Sequence, residues 1–388
     1  MESLTIEKLN NFLSKRKCTL LGVGPMSKNC IDASIEISNE HDVPLMLIAS
    51  RRQIDSTQSG GGYVNNWTTE KFSEYVKTHD KNKNIILCRD HGGPWQNDYE
   101  KNDKLDLSEA MESAKKSFLT DIKSDFQIIH IDPTIDIHSK ISMEQIFERV
   151  FNLYEYCNTV SKKLNKKIVF EISLGKEDGG FDSYEEIKHV ISKMESFCSK
   201  MNFPLPYFLV VRTGNHVMEL QNVGSFESIF LDKKQTTYKT NLLKIIELCN
   251  KHQIRIKEHN TDYLSDKALQ IHPEIGIHAA NVAPEFAVVE TRAFLSLLKK
   301  NQLEAELEKF IDISYSSKKW EKWMLDNSQL GKQEKAIISG HYIFGKNEFI
   351  ELKNDVENKI SLDVSLDSYL KTEIKKSLIR YLNLFSVI

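Results

Sequence analysis

The sequence predicts an α/β protein, a (β/α)8 TIM barrel with a C-terminal helical extension. Eight short apolar runs alternate with amphipathic segments over the first three quarters of the 388 residues. Polar residues follow nearly every run, at the strand ends where barrels of this class carry their chemistry. The first run is followed by Gly22-Val23-Gly24-Pro25 and not by Gly-x-Gly-x-x-Gly. This spacing disfavours an open dinucleotide-binding sheet.

Each predicted element comes from a change of period along the chain. The apolar runs predict strands at 18–23, 43–49, 84–88, 126–131, 167–170, 207–211, 254–257 and 275–280. Apolar residues at i, i+3, i+4 and i+7 predict helices at 31–39, 70–78, 107–120, 143–164, 183–201, 239–251 and 286–299. Consecutive β-α-β units give parallel strands with right-handed crossovers, and eight such strands can close into a barrel.

We divide the chain into a barrel at 1–300 and an extension at 301–388. The barrel segment begins with an amphipathic helix, which we expect to pack across the bottom or side of the barrel. Beyond residue 300 the strand pattern stops. Helices are predicted at 303–316, 319–326, 332–339 and 366–384. Because this region has aromatic faces but no cluster of ligand side chains, we expect it to form a cap or an oligomer contact, in a homo-oligomer.

Composition points to a soluble cytoplasmic enzyme. The hydrophobic share of 40% suits a large core, and the net charge of −3 argues against a nucleic-acid partner. No apolar stretch approaches the roughly 20 residues that span a bilayer, and the N-terminus lacks the apolar core of a signal peptide. The six cysteines are scattered without Cys-x-x-Cys spacing, as in a reducing compartment.

Histidines and a carboxylate at strand ends predict a divalent metal site, most favourably for zinc. His91 follows the third run, His216 the sixth and His259 the seventh. Imidazoles converging from separate strands are a common way to bind zinc or a similar metal. Glu171 ends the fifth run, where a buried carboxylate needs a cation or several donors to stay ionised. Asp90 precedes His91, so one member of that pair can bind the metal while the other meets the substrate.

These motifs resemble the class II D-tagatose-bisphosphate aldolase non-catalytic subunit family (GatZ/KbaZ type), and more distantly the zinc-dependent class II fructose-bisphosphate aldolases. The resemblance spans most of the chain. It rests on the segments 87–95, 130–134, 257–263 and 281–292, with Gln53, Gly61-Gly62-Tyr63 and 319–324 in support.

The resemblance implies a role for each matching residue. His91, His216 and His259 would be metal ligands, with Glu171 as a fourth ligand or its neighbour. Asp90 would be the catalytic acid/base at the C4 hydroxyl without binding the metal, and Glu177, in the Glu177-Asp178-Gly179 element, would be a second catalytic residue. The residues expected to bind substrate are Gln53, Arg89, Asp132, Asp262, Asn281 and Arg51.

The implied reaction is retro-aldol and aldol chemistry on a ketose or ketose phosphate through a metal-stabilised enediolate, ending in cleavage or in C4 epimerisation. The chain departs from the aldolase pattern where Ser173 replaces the second glutamate of Glu-x-Glu. Gly-rich phosphate loops are also missing, although Arg51, Arg52, Arg89, Arg212 and Lys176 could bind anions. Two alternatives stay open: a non-catalytic subunit that stabilises a partner aldolase, and a metal-dependent sugar isomerase.

Overall fold

Eight parallel strands close into a barrel in the computed structural model, which describes residues 3–175, 179–232 and 236–388. The predicted fold class is confirmed. Barrel strands that are consecutive along the chain are neighbours in the barrel, the last of them pairs with the first, and a small antiparallel hairpin lies outside the barrel.

The barrel strands are β1 (Leu20–Val23), β2 (Leu45–Ser50), β3 (Ile85–Gly92), β4 (Ile128–Ile131), β5 (Val169–Ile172), β6 (Phe208–Val210), β9 (Arg255–Glu258) and β10 (Ala279–Val282), and the hairpin is β7 (Val217–Met218) with β8 (Gln221–Asn222). The helices up to the last barrel crossover are α1 (Leu4–Lys15), α2 (Lys28–His41), α3 (Thr69–His79), α4 (Asp98–Asn102), α5 (Leu107–Lys123), α6 (Met143–Lys163), α7 (Tyr184–Met201), α8 (Phe226–Leu231), α9 (Thr237–Lys251) and α10 (Asp266–Ile275). The remaining helices are α11 (Pro284–Lys300), α12 (Glu304–Ser316), α13 (Lys332–Ser339), α14 (Asn347–Lys359) and α15 (Leu366–Leu384).

Alternation along each strand sends one set of side chains into the barrel and the other toward the helices. In β3, Ile86 and Cys88 belong to the cluster inside the barrel, whereas Ile85 and Leu87 pack in the larger cluster between strands and helices. The period of two therefore determines which polar residues at a strand end can reach the barrel mouth.

The N-terminal helix α1 lies across the bottom of the barrel, one of the two positions expected for it. Its fully buried Leu9 packs in the interior cluster with Leu20, Met46 and Ile86, which lie near the amino ends of their strands. The opposite, carboxyl end of the barrel is left open for chemistry.

The strand predicted at 275–280 begins later than expected. Helix α10 continues to Ile275 and ends at Gly276, whose φ of 93° is the left-handed conformation that favours glycine at a helix C-terminus. Strand β10 therefore starts at Ala279. The sequence analysis also missed α4, α8, α10, α14 and the hairpin. Of these, α4, α8 and the hairpin strands are only 5, 6 and 2 residues long.

The C-terminal extension is partly built into the barrel. Helix α15 contributes Ile374, Leu378, Tyr381 and Leu382 to the large cluster around the strands, and Thr19 donates a backbone hydrogen bond of 3.0 Å to Phe385 O. Helices α12 to α14 instead pack with α11 around a second cluster. In place of the helix predicted at 319–326 there is one short 3-10 turn at Glu321–Trp323.

All six cysteines are free and buried. Within the described ranges, no helix has the length and apolar content that a membrane crossing requires.

Leu378→Ala should lower the free energy of unfolding by about 2–5 kcal/mol, because a fully buried leucine leaves a cavity. The matched control is Ile350→Ala in α14, where the side chain is 44% exposed and the expected change is within about 0.5 kcal/mol. Urea denaturation measures both. Equal effects would show that α15 is not part of the barrel core.

Candidate active site

Four buried side chains meet at the carboxyl end of the barrel: Asp90 in β3, His130 in β4, Glu171 in β5 and His259 just after β9. One nitrogen or oxygen of each lies within 4.8 Å of those of the other three. We call these four residues the metal-type group. They converge because Asp90, His130 and Glu171 occupy inward positions of neighbouring strands.

The spacing of the donor atoms suits a small divalent ion. His259 Nε2 lies 3.3 Å from Glu171 Oε1 and 3.9 Å from Asp90 Oδ1. His130 Nδ1 lies 3.5 Å from Asp90 Oδ1 and 3.6 Å from Glu171 Oε1. A tetrahedral ion with ligand bonds of about 2.0–2.2 Å places its donor atoms roughly 3.3–3.6 Å apart. Two imidazoles with two carboxylates form a donor set that zinc and similar metals accept.

Two buried polar atoms in and beside the metal-type group, which lack a hydrogen-bond partner in the described part of the chain, agree with binding of an ion there. His130 Nε2 and Asn281 Oδ1 are buried and have no hydrogen-bond partner among the described residues. Buried polar atoms of this kind usually have a water or ion nearby. His130 Nδ1 accepts the backbone N–H of His91 at 3.1 Å, and metal binding there would exchange that hydrogen bond for coordination.

A buried lysine compensates the charge of Glu171. Lys257, 1% exposed, points into the barrel from β9, and its Nζ lies 2.6 Å from Glu171 Oε2. Burial would raise the pKa of Glu171, but the positive charges of Lys257, His130 and His259 lower it to about 2. Glu171 is therefore an ionised carboxylate with its other oxygen, Oε1, directed at the two histidines.

An irregularity in β3 brings two consecutive residues to the same place. The pairing of β3 with β4 shifts register between Arg89 and Gly92, and His91 has a φ of 46°, uncommon for a residue other than glycine. His91 therefore turns toward the barrel mouth beside Asp90 and does not face the helices. Its Nδ1 lies 2.7 Å from Asp132 Oδ2, and its Nε2 lies 3.5 Å from Asp90 Oδ2.

The structure places the two residues of the Asp90-His91 pair differently from what the resemblance implies. Asp90, expected to stay off the metal, is a member of the metal-type group, whereas His91, expected to be a ligand, is held by Asp132 at its edge. Burial would raise the pKa of Asp132, but the hydrogen bond with His91 and the positive charge of the His91 imidazolium hold that pKa well below the usual range.

A cavity of about 580 Å³ lies over this end of the barrel, within the size range of small-molecule sites. Its wall includes Asp90, His91 and His259, and also four of the residues expected to bind substrate: Gln53, Asp132, Asp262 and Asn281. A larger groove of about 1070 Å³ lies between α7 and α9 on the outer layer, and no member of the metal-type group lines it.

Asp262 is fixed at the cavity wall by the start of α11. Its Oδ1 accepts the backbone N–H groups of Ala283 and Glu285, each at 2.9 Å. Burial, followed by the negative charge of Glu285, raises the pKa of Asp262 to about 7. A carboxyl group with such a pKa can both give and take a proton near neutral pH.

Arg51 and Arg89 lie outside the cavity, which corrects the expectation that they contact substrate. Both are fully buried between the barrel and its helices. Arg51 pairs with Asp55 at 3.0 Å and with Glu100 at 2.7 Å, and Arg89 pairs with Asp121 at 2.6 Å. Arg89 faces outward because its neighbours Cys88 and Asp90 face inward.

His216 is also placed away from the metal-type group. Strand β6 ends at Val210, and His216 follows after a turn at Gly214, directly before the hairpin. Its backbone pairs with Val223 and with the Asn222 side chain. The strand it was expected to close ends too early to carry it to the barrel mouth. Glu177 lies outside the described residues.

Two functional candidates were not selected as site residues in the sequence analysis, although a signal existed. His130 and Lys257 lie within strand-like runs, Ile128-Ile129-His130-Ile131 and Ile254-Arg255-Ile256-Lys257, two residues after Ile128 and Arg255. Alternation places both on the inward face with the residues that we did select. No comparable local signal marks Lys322, Trp323 and Tyr342, which line the cavity from the C-terminal extension.

The fold is shared with several solved structures. The chain is similar to a probable tagatose 6 phosphate kinase from Sinorhizobium meliloti 1021, with 16% identity, a TM-score of 0.71 and coverage of 94% of this chain and 100% of that one. It is similar to the fructuronate-tagaturonate epimerase UxaE from Cohnella laeviribosi, with 8% identity, a TM-score of 0.58 and coverage of 95% and 81%. For the fructose-bisphosphate aldolase from Campylobacter jejuni the identity is 12%, the TM-score 0.56 and the coverage 100% and 96%.

At these identities the similarities establish the barrel fold, which agrees with the fold that the family resemblance implies. No family model matches the sequence. No curated protein matches it either.

Proposed function

We propose that the protein is a metal-dependent ketose aldolase or ketose C4-epimerase. The observation that carries the proposal is the metal-type group, in which the two histidines lie 3.3–3.9 Å from the two carboxylates, close to the spacing of a tetrahedral site. Two of its members, Asp90 and His259, line the cavity of about 580 Å³. The proposal is supported by the barrel fold that this chain shares with a fructose-bisphosphate aldolase and with a sugar epimerase.

Asp90, His130, Glu171 and His259 would hold the ion, most favourably zinc. When bound, such an ion withdraws electrons from the ketose carbonyl and stabilises the negative charge that develops as the C3–C4 bond breaks. Lys257 keeps Glu171 ionised for this purpose through their 2.6 Å ion pair.

His91 is the base that the geometry favours for the C4 hydroxyl. Its ring lines the cavity and is oriented by Asp132, an arrangement in which a carboxylate stabilises the protonated imidazole. Removing the hydroxyl proton lets the C4–O electrons form an aldehyde while the C3–C4 electron pair moves to C3 and the C2 carbonyl. Asn281 and Gln53 line the same wall with amide groups that can bind substrate hydroxyls.

The fate of the aldehyde decides the product. Asp262 can protonate C3, and the two fragments then leave as aldolase products. If the aldehyde instead turns over and C3 attacks its other face, His91 returns the proton to the new C4 hydroxyl and the product is the C4 epimer. Both outcomes therefore use the same residues.

Stripped protein is expected to bind about one zinc ion per chain, and binding should raise the melting temperature because the ion binds the folded chain. His259→Ala should abolish that binding, whereas His252→Ala, in which a surface imidazole paired with Glu195 is removed, should retain it. Mass spectrometry of metal content and thermal melts measure this directly, and added zinc should restore turnover of a ketose phosphate.

Absence of stoichiometric metal in the wild-type protein, under conditions where it is folded, would contradict the proposal. It would favour a stabilising subunit for a partner aldolase, since such a subunit needs no ion.

A further inference from the structure

A second part of the cavity wall is positively charged and aromatic. It consists of Arg52 and Tyr63 from the segment between β2 and α3, and of Lys322, Trp323 and Tyr342 from the C-terminal extension. We call these five residues the basic wall. None of them belongs to the metal-type group.

The basic wall is held in a defined arrangement. Lys322 Nζ lies 4.9 Å from the ring centroid of Trp323 and 5.3 Å from that of Tyr342, whose ring packs on Tyr63 at 4.7 Å. Backbone bonds fix the turn that carries Lys322, because Glu219 N donates to Trp323 O at 2.8 Å. The ammonium group is thus presented over aromatic rings at the cavity wall.

Positive charge exceeds negative charge around this wall. Asp98 pairs with Arg52 at 3.2 Å and with Lys319 at 3.1 Å, so one carboxylate serves two cations. Lys322 has no ion pair among the described residues. Burial of its ammonium group and then the positive charge of Arg52 lower the pKa of Lys322, although the residue as a whole is exposed. The same two causes lower the pKa of Lys101.

An anion in the cavity would relieve this repulsion. A guanidinium group offers paired donors to the oxygens of a phosphate or carboxylate, and an ammonium group adds a point charge. The basic wall and the metal-type group share one cavity, so a molecule bound at the metal-type group can extend its other end to the basic wall.

We propose that Arg52 and Lys322 form a subsite for an anionic terminal group of the substrate, either a phosphate ester or a carboxylate. The subsite rests on the proposed function, and it narrows the substrate to a ketose that carries a negative charge away from its carbonyl. It also makes the C-terminal extension part of the substrate site.

Binding of three probes to zinc-loaded protein, measured by calorimetry, tests the subsite: D-tagatose 6-phosphate, D-tagaturonate and uncharged D-tagatose. Lys322→Gln and Arg52→Gln are each expected to weaken binding of the anionic probe by about 10- to 100-fold, the usual loss of a hydrogen bond to a charged group. Binding of D-tagatose should stay unchanged. A drop confined to D-tagatose 6-phosphate identifies a phosphate subsite, and one confined to D-tagaturonate identifies a carboxylate subsite.

Two further variants separate a local charge effect from other causes. Lys322→Arg should retain most of the affinity for the anionic probe. Lys332→Gln removes an exposed lysine of the same extension, which pairs with Asp312, and should change no affinity. Circular dichroism confirms that each variant is folded.

Equal binding of charged and uncharged probes, or equal losses for all three in Lys322→Gln, would overturn the subsite while leaving zinc binding and turnover, and hence the proposed function, intact. Conversely, charge-dependent binding without zinc uptake would support the subsite and overturn the metal-dependent reaction.

Discussion

Glu171→Ala is expected to abolish zinc binding and turnover and to lower the free energy of unfolding by about 3–5 kcal/mol. Two effects combine in this variant. The metal-type group loses the carboxylate whose Oε1 lies 3.3 Å from His259 Nε2. Lys257 loses the partner of a 2.6 Å ion pair while it remains 1% exposed inside the barrel, and a buried charge without a partner is costly.

The double variant Glu171→Ala with Lys257→Met separates these effects. Removing both charges should recover much of the lost stability, because no unpaired ammonium group remains in the barrel. Zinc binding and turnover should stay absent. Urea denaturation gives the stabilities, and mass spectrometry of the metal-treated proteins gives the zinc content.

An ion pair at the surface of α15 provides the matched control. Glu373, which is partly exposed, and Lys376, which is exposed, lie 2.6 Å apart in α15, and Glu373→Ala is expected to change stability by no more than about 0.5 kcal/mol. If Glu171→Ala bound zinc like the wild type, Glu171 would be a partner of Lys257 alone and the proposed ligand set would be wrong.

The barrel was predictable because its signal is repeated. Eight apolar runs with intervening helical periods constrain one another, so an error at one run, such as the strand predicted at 275–280, leaves the topology unchanged. The end of a single element is set by local backbone chemistry. The left-handed Gly276 after α10 is one such case, and its effect on β10 appears only when the helix is seen in place.

The site was predictable only in part, since residue type and strand-end position do not determine direction. Arg89 and Asp90 are neighbours, yet one pairs with Asp121 in the outer layer and the other faces the barrel mouth. Strict alternation assigns these two correctly and also selects His130, which the sequence analysis did not choose as a ligand.

Other features depend on contacts that are distant in sequence. The register shift that turns His91 toward Asp132 has no clear signature in Arg89-Asp90-His91-Gly92. Lys322 reaches the cavity because the extension packs across the barrel, more than two hundred residues after Arg52. Neither placement follows from local periodicity.

The proposed exchange of roles between Asp90 and His91 gives the last prediction. His91→Ala should retain about the wild-type zinc content and lower turnover by about 10²- to 10⁴-fold, the usual contribution of a positioned acid or base. Asp90→Ala should lose zinc first and turnover as a consequence, because Asp90 Oδ1 lies 3.5 Å from His130 Nδ1 and 3.9 Å from His259 Nε2 within the metal-type group.

Asp132→Asn tests the same assignment from the other side of His91. Its amide can keep contact with His91 Nδ1 but supplies no negative charge, so turnover should fall while zinc content stays unchanged. Zinc content separates the two assignments without reliance on activity. If His91→Ala lost the metal and Asp90→Ala kept it, His91 would be the ligand and Asp90 the base, as the family resemblance implies. The irregular turn in β3 would then serve to present the imidazole to the ion, and Asp132 would orient a ligand and not a base.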